Sequence, residues 1–544
     1  MRDRALESLA GRHFDLIVVG AGVNGAGIAR DGAMRGLSVL LLDKGDLSAG
    51  TTQWSTRLVH GGLRYLEHAE IGLVRESLHE RERLLHVAGH LVRPLPMVIP
   101  IYESDRRGPR LIRLGMAAYD ALSLRKSLDH HHVLSVEDLL EREPGLVPDG
   151  LMGGALYYDA QVEFPERLVV ENALSARDEG ALVLTYASVE RILVEENVAR
   201  GVEVRDRLGG GTHTARGEVV VNAAGPWVDE VLGGVPRTAR RRIGGTKGSH
   251  VVVAPFPGAP RSALYLEAGE DARPYFVVPW NGLYLIGTTD SRYDGDLDHV
   301  APTEEEIDYL LRETNRVLPG AGLDSTSVLY AYAGVRPLPY VENGTAGAIT
   351  RRHIVHDHAP DLAAGLVSIV GGKLTTYRSL AEEAVDLVFE RLGRRSPGSN
   401  TAEVPLPGGS GGPFEGFATT FKATSGLEEA TAERLLRIYG VRATGVAAIA
   451  EGDAALREPL EGAPDSLAAE VVHAIRHEGA QTLADVLLRR TMIGLGPTAG
   501  IGPDRAAARV AESHLGWDGD RAEREVEDFR RYMGRYRPRG LVEA

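Results

Sequence analysis

Three glycine-bounded segments carry the residues whose types and spacing could do chemistry. The first, Gly20-x-Gly22-x-x-Gly25, has the spacing of a phosphate-binding turn. Gly20 permits the tight turn, Gly22 lets the backbone approach a pyrophosphate, and Gly25 lets a helix pack closely on a strand. The helix that follows turns its N-terminus toward the phosphates. Asp43 stands near the distance at which a carboxylate meets ribose hydroxyls. This is a dinucleotide site, and the motif alone leaves NAD and FAD equally open. In the second segment, HGGLRYLE, Gly61 and Gly62 follow His60. Two glycines beside a histidine are what a backbone needs when it runs close to a flat ring. The third segment, GGKLTTYR, is another glycine turn at the head of a helical stretch.

The flanking sequence predicts the elements that hold these turns. Phe14 to Val19 and Leu37 to Leu42 are short apolar runs on either side of the first turn. Strand, turn, helix, strand is the βαβ pattern of a parallel sheet covered on both faces. Residues 63–88 read as one or two amphipathic helices, and 181–222 as strands returning to the first sheet. From about 247 to 335 the runs SHVVVA, PYFVVPW, GLYLIGTTD and SVLYAYAGV have the spacing of an antiparallel sheet. Residues 365–392 read as strand, Gly-Gly turn and long helix. PLPGGSGGPFEG (405–416) reads as a linker, and the remainder as a helical domain.

With 544 residues, the chain has room for about three domains and a large core. It contains no cysteine, which excludes disulfides, thiolate metal sites and cysteine nucleophiles. A net charge of −15 argues against nucleic-acid binding, so an anionic substrate would need a local cluster of cations. The N-terminus lacks the apolar core of a signal peptide, and no run approaches a membrane span. A soluble, cytoplasmic enzyme is expected.

Seven segments carry a closer resemblance: LIVVGAGVNGAGIARDGAMRGLSVLLLDKGDLSAGTT (16–52), STRLVHGGLRYLEH (55–68), NAAGPWVD (222–229), KGSHVVV (247–253), IGTTDSRYDGD (286–296), AGVRPL (333–338) and GGKLTTYR (371–378). In this order the chain resembles the bacterial FAD-dependent glycerol-3-phosphate dehydrogenase family, similar in fold to D-amino-acid oxidase and glycine oxidase. The resemblance covers roughly the first 400 residues, and the helical tail matches in placement. It implies an α/β Rossmann-type FAD-binding domain (12–85, 150–240 and 330–400). Inserted in it would be an α+β substrate domain with an antiparallel sheet (86–149 and 241–329). A linker (401–416) and an all-α C-terminal domain (417–544) would follow.

The implied cofactor is FAD. Thr51, Thr52 and Ser55 would supply hydroxyls to its phosphates or ribityl chain. His60, Gly61, Gly62 and Leu63 would lie against the flavin, and Ala224, Gly225 and Trp227 would cover the adenine and ribose side. Val189 and Arg57 are also assigned to the cofactor, Arg57 standing where relatives often have Lys. Gly372, Lys373, Leu374, Thr375 and Thr376 would approach the flavin, where a helix N-terminus stabilises negative charge. Asp43 departs from the Glu often found at its position.

For a phosphorylated substrate the resemblance points to Arg64, Arg336 and Lys373, with Tyr65 and His250 nearby. The implied reaction is oxidation of sn-glycerol 3-phosphate to dihydroxyacetone phosphate, hydride passing from C2 to flavin N5 and electrons to a quinone. Arg336 and Lys373 are expected to be essential. His250 is the natural candidate for general base, and His60 the second. A glycerol-phosphate oxidase using oxygen, a flavin amine oxidase and an inactive flavoprotein remain alternatives. A homodimer is the family-like expectation.

Other signals carry less. Asp290, Asp294, Asp296 and Asp298 invite a calcium loop, but Arg292 falls at a ligand position, so a polar hairpin is read. His130, His131 and His132 read as a solvated loop, and no metal site is assigned. Residues 106–127 combine Leu111, Leu114 and Leu122 on one helical face with flanking arginines. That composition suits a helix on an anionic membrane surface as well as an ordinary packed helix.

Overall fold

The structure, a computed structural model, describes residues 2–67, 70–123, 127–235, 240–342, 349–409 and 414–539. The predicted βαβ unit is present as β1 (His13–Val19), α1 (Val23–Met34) and β2 (Val39–Leu42). Alternation along β1 feeds two cores. Leu16 and Val18 pack into the one shared with α1, and Ile17 and Val19 into the one on the opposite face. Every residue of β2 is buried, as expected of a parallel strand covered on both faces.

Parallel pairing extends this sheet from β1 to Thr212–Asn222 and on to Leu366–Val370. On the other side β2 pairs in parallel with Leu182–Leu184. The turns that leave the carboxyl ends of these strands include Gly20, Asp43, Ala224 and Gly371. In a doubly wound sheet that edge is where a ligand sits.

A second sheet carries Thr246–Val253, Ala263–Glu267, Pro274–Trp280 and Leu283–Gly287. Its pairing is antiparallel except where Ala263–Glu267 runs parallel to Val92–Tyr102. Leu58–Val59, Leu151–Val162 and Val328–Arg336 also pair in this sheet. The resemblance implies that Leu58–Val59, Leu151–Val162 and most of Val328–Arg336 belong to the cofactor domain. Their hydrogen bonds lie in the second sheet, and the cleft opens between the two sheets.

The C-terminal domain is helical, as expected, and among its described residues it carries one small hairpin, Pro459–Leu460 with Ala463–Leu467. The preceding linker packs: Leu406 is buried, and Gly408 donates its N–H to the buried Glu171 carboxylate at 2.9 Å. Residues 410–413 of the linker lie outside the described residues. The domain is fastened by buried ion pairs. Arg167 is bidentate on Glu478 at 2.5 and 2.8 Å, and Arg489 and Arg490 both hold Asp46. Removing one partner of such a pair strands a charge in the core and costs roughly 3–5 kcal/mol.

The segment expected to be an amphipathic helix forms Pro109–Leu122, while residues 124–126 lie outside the described residues. Ile112, Met116 and Tyr119 are buried, whereas Leu111 and Leu114 are 51% and 69% exposed. No helix among the described residues is long and apolar enough to cross a membrane.

Candidate active site

One cavity of about 810 Å³ runs between the two sheets and gathers most of the residues named from sequence. At one end lie Gly20, Gly22, Asp43, Val189, Ala224 and Trp227, and at the other Tyr65, His250, Arg336 and Lys373. Gly20 has φ +102°, and a Cβ there would lie 2.7 Å from the Ala223 carbonyl oxygen. A Cβ on Gly25 would fall 1.8 Å from the Gly20 oxygen, so both glycines are steric necessities. Gly22 caps α1 without a side chain, and the Val23 N–H goes to Thr52 Oγ1 at 3.1 Å. Asp43 accepts from Ala21 N–H at 2.6 Å and Gly45 N–H at 2.8 Å. Burial raises its pKa and those two donors oppose the rise. Each oxygen keeps a second lone pair for a ribose hydroxyl.

The other two glycine segments meet in space. His60 N–H donates to Thr375 Oγ1 at 3.1 Å, and Lys373 Nζ donates to the carbonyls of His60 and Gly61 at 3.1 and 3.3 Å. Gly371 and Gly372 have φ +77° and +100°, which lets the chain reverse into the helix Tyr377–Arg391. Lys373 also donates to Ser77 Oγ at 2.9 Å and sits 4.7 Å over the Tyr65 ring. Burial lowers its pKa to about 7, against the pull of Asp159, Glu76 and Glu70.

Burial, reinforced by Lys373, Arg64 and Arg81, pushes His60 down to about 3. Burial with Arg336 and Arg57 also holds His250 far below its usual value. His250 Nε2 lies 2.9 Å from Thr56 Oγ1, and its ring stacks on Tyr332 at 4.9 Å.

Arg336 donates to Asp290 at 3.1 Å and to Thr288 Oγ1 at 3.0 Å. Arg351 donates to the other oxygen of Asp290 at 3.1 Å, and its buried Nη1 has no partner. Burial alone would raise the pKa of Asp290, but the two guanidinium groups hold it low. Burial lowers Arg336 to about 10, still a cation at neutral pH.

Other positions fall differently. Thr51, Ser55, Gly225, Gly372, Leu374 and Thr375 wall the cavity as expected. Gly61, Gly62, Leu63, Arg64 and Thr376 are not among the wall residues. Gly62 is packed on Tyr65, where a Cβ would lie 2.2 Å from the ring, and Thr376 Oγ1 is buried without a partner. The charge of Arg64 still reaches His60 and Asp290.

Arg57 lines the cavity, and its guanidinium is bidentate on the buried Glu166 at 2.8 and 2.9 Å and lies over Trp280. Glu166 balances its charge inside the protein.

Sequence reasoning missed Arg351, Asn24, Tyr532 and Arg535, all of which wall the cavity. Arg351 stands beside Arg352 without a glycine or strand boundary, so nothing local marks it. Elsewhere, His356, His358 and Asp361 bring three potential metal ligands within 4.8 Å, but Arg242 pairs with that carboxylate.

The cradle suits a dinucleotide. Asn24 Oδ1 and Trp227 Nε1 are buried, unpartnered and on the cavity wall, and Gly20 and Gly22 leave the backbone bare. The family model for FAD dependent oxidoreductases matches residues 15–378, and that for the C-terminal domain of alpha-glycerophosphate oxidase matches 399–522. The glycerol-3-phosphate dehydrogenase of Synechocystis sp. is 46% identical, covering 96% of each chain. The chain belongs to the FAD-dependent glycerol-3-phosphate dehydrogenase family.

FAD is therefore the cofactor of this enzyme. D-erythritol 1-phosphate dehydrogenase of Brucella abortus is 40% identical, covering 88% of this chain and 94% of its own. The crystal structure of glycerol-3-phosphate dehydrogenase from Bacillus halodurans, complexed with FAD, superposes with TM-score 0.80 at 28% identity. It covers 98% of this chain and 97% of its own.

Proposed function

We propose that the chain oxidises sn-glycerol 3-phosphate at C2 to dihydroxyacetone phosphate and passes the electrons to a quinone. The observation that carries this reading is the Arg336–Asp290–Arg351 cluster, whose two arginines stand in the wall of the FAD cleft. Two guanidinium groups against one carboxylate leave net positive charge, and guanidinium forks bind phosphate oxygens in pairs. Bound FAD supplies the acceptor for the hydride that leaves C2. The C2 hydroxyl must release its proton to a base whose pKa matches the working pH. Lys373, at about 7, meets that condition better than His250, whose environment makes it a weak base. His250 then acts as a neutral hydrogen-bonding wall, and Arg336 stabilises negative charge developing on the substrate oxygen.

The name of the Brucella relative favours a second reading, a longer polyol phosphate held by the same cations. A substrate comparison separates the two: kcat/KM for glycerol 3-phosphate is expected to exceed that for D-erythritol 1-phosphate, and the reverse order overturns the assignment. Turnover with a soluble quinone analogue under nitrogen is expected, and turnover only with oxygen would make the enzyme an oxidase.

We also propose that the helix Pro109–Leu122 rests on an anionic membrane surface, because its outward face carries Arg110, Leu111, Arg113 and Leu114.

A further inference from the structure

The C-terminal domain reaches the cofactor cleft. Tyr532, near the end of the helix Gly519–Met533, and Arg535, just beyond it, are wall residues of the cavity that also contains Gly20 and Thr52. Tyr532 Oη accepts a hydrogen bond from Gln53 Nε2 at 3.0 Å. The Arg535 guanidinium lies 4.7 Å over the Tyr532 ring and 5.9 Å over the Trp54 ring, and it donates to the Asp298 carbonyl. On the facing side, Lys44 pairs with the Asp298 carboxylate at 2.7 Å and lies 4.5 Å over Trp227. Lys44, Asp298 and Arg535 therefore link three distant chain segments along one rim of the cleft. Behind them, Arg489 and Arg490 bind the buried Asp46, which lies in the loop that follows Asp43.

We propose that the C-terminal domain is the outer wall of the cofactor site and that Arg535 is a cofactor-retention residue. Its guanidinium, held at the rim by two rings and a carbonyl, adds positive charge to a cleft that takes an anionic dinucleotide. FAD release requires this rim to part. Retention and docking of the C-terminal segment are thus one equilibrium, whatever substrate the enzyme uses.

The test compares the unaltered holoenzyme with Arg535→Ala, Arg535→Lys and Arg537→Ala, the last removing the Arg537–Glu304 surface pair on the same tail but no wall residue. Flavin release is followed by the rise in free-flavin fluorescence on dilution, and thermal melting is measured with and without FAD. Loss of one charge-assisted contact predicts roughly tenfold faster release for Arg535→Ala. Its melting temperature should fall more with FAD than without, so that its FAD-induced stabilisation shrinks. Arg535→Lys is expected to recover most of the retention, and Arg537→Ala to release flavin like the unaltered enzyme. Release by Arg535→Ala within twofold of the unaltered enzyme overturns the proposal. So does an equal fall in melting temperature with and without FAD, because a purely structural role would give it.

Discussion

The assignment of Lys373 as proton acceptor makes a quantitative prediction about pH. Its Nζ faces three acceptors, the His60 and Gly61 carbonyls and Ser77 Oγ, and burial brings its pKa down to about 7. A group titrating there is about one tenth free amine at pH 6, half at pH 7 and nine tenths at pH 8. Flavin reduction by saturating glycerol 3-phosphate, followed anaerobically in a stopped-flow instrument, should therefore quicken about fivefold from pH 6 to 7 and less than twofold from 7 to 8. Three neighbouring groups stay outside that window. Burial keeps His60 near 3 and His250 neutral, and Arg336 stays a cation below about 10. Lys373→Arg keeps the charge but cannot unload its proton, so the pH rise should vanish and the rate fall by about 10²–10⁴. A flat profile, a rate that falls with pH, or an unchanged rise in Lys373→Arg would refute this role for the amine.

Three further outcomes follow from the geometry. Arg336→Ala and Arg351→Ala should each raise KM for glycerol 3-phosphate by roughly 10–100-fold, the loss of a charged hydrogen bond, and Arg336→Lys should restore only part of it. Equal KM values in steady-state assays of all three would remove the phosphate cluster. Gly25→Ala forces a Cβ to 1.8 Å from the Gly20 carbonyl oxygen, so the purified protein should carry little flavin, read as the visible-to-ultraviolet absorbance ratio. Flotation with anionic vesicles should bring the protein up the gradient and fail after Arg110→Gln with Arg113→Gln, whereas equal flotation of both forms would remove the membrane-surface role of Pro109–Leu122.

Much of the architecture is legible because period and turn chemistry are local. The alternation in β1 and the glycines at 20, 22 and 25 place a parallel sheet and its phosphate turn without tertiary knowledge. Which sheet a strand joins is not a local property. Leu151–Val162 has the same apolar character whichever sheet it joins, and only its pairing with Val92–Tyr102 decides.

The site divides in the same way. His60, Lys373 and Thr375 stand in glycine-bounded motifs, and the structure joins those motifs by direct hydrogen bonds. Arg57 looks cationic in sequence, yet Glu166, 109 positions away, neutralises it. Asp290 reads from sequence as part of a polar hairpin, and only the fold shows Arg336 and Arg351 closing on its two oxygens. Arg351 and Arg535 carry no local mark, because their surroundings come from chain segments far away in sequence.

The most direct measurement is anaerobic addition of sn-glycerol 3-phosphate to the yellow holoenzyme, with the visible flavin absorbance recorded. Prompt bleaching with one equivalent of dihydroxyacetone phosphate per flavin is the predicted result, with no bleaching by glycerol, which lacks the phosphate for Arg336 and Arg351. An absorbance unchanged by glycerol 3-phosphate, in protein that dithionite still bleaches, would contradict the account.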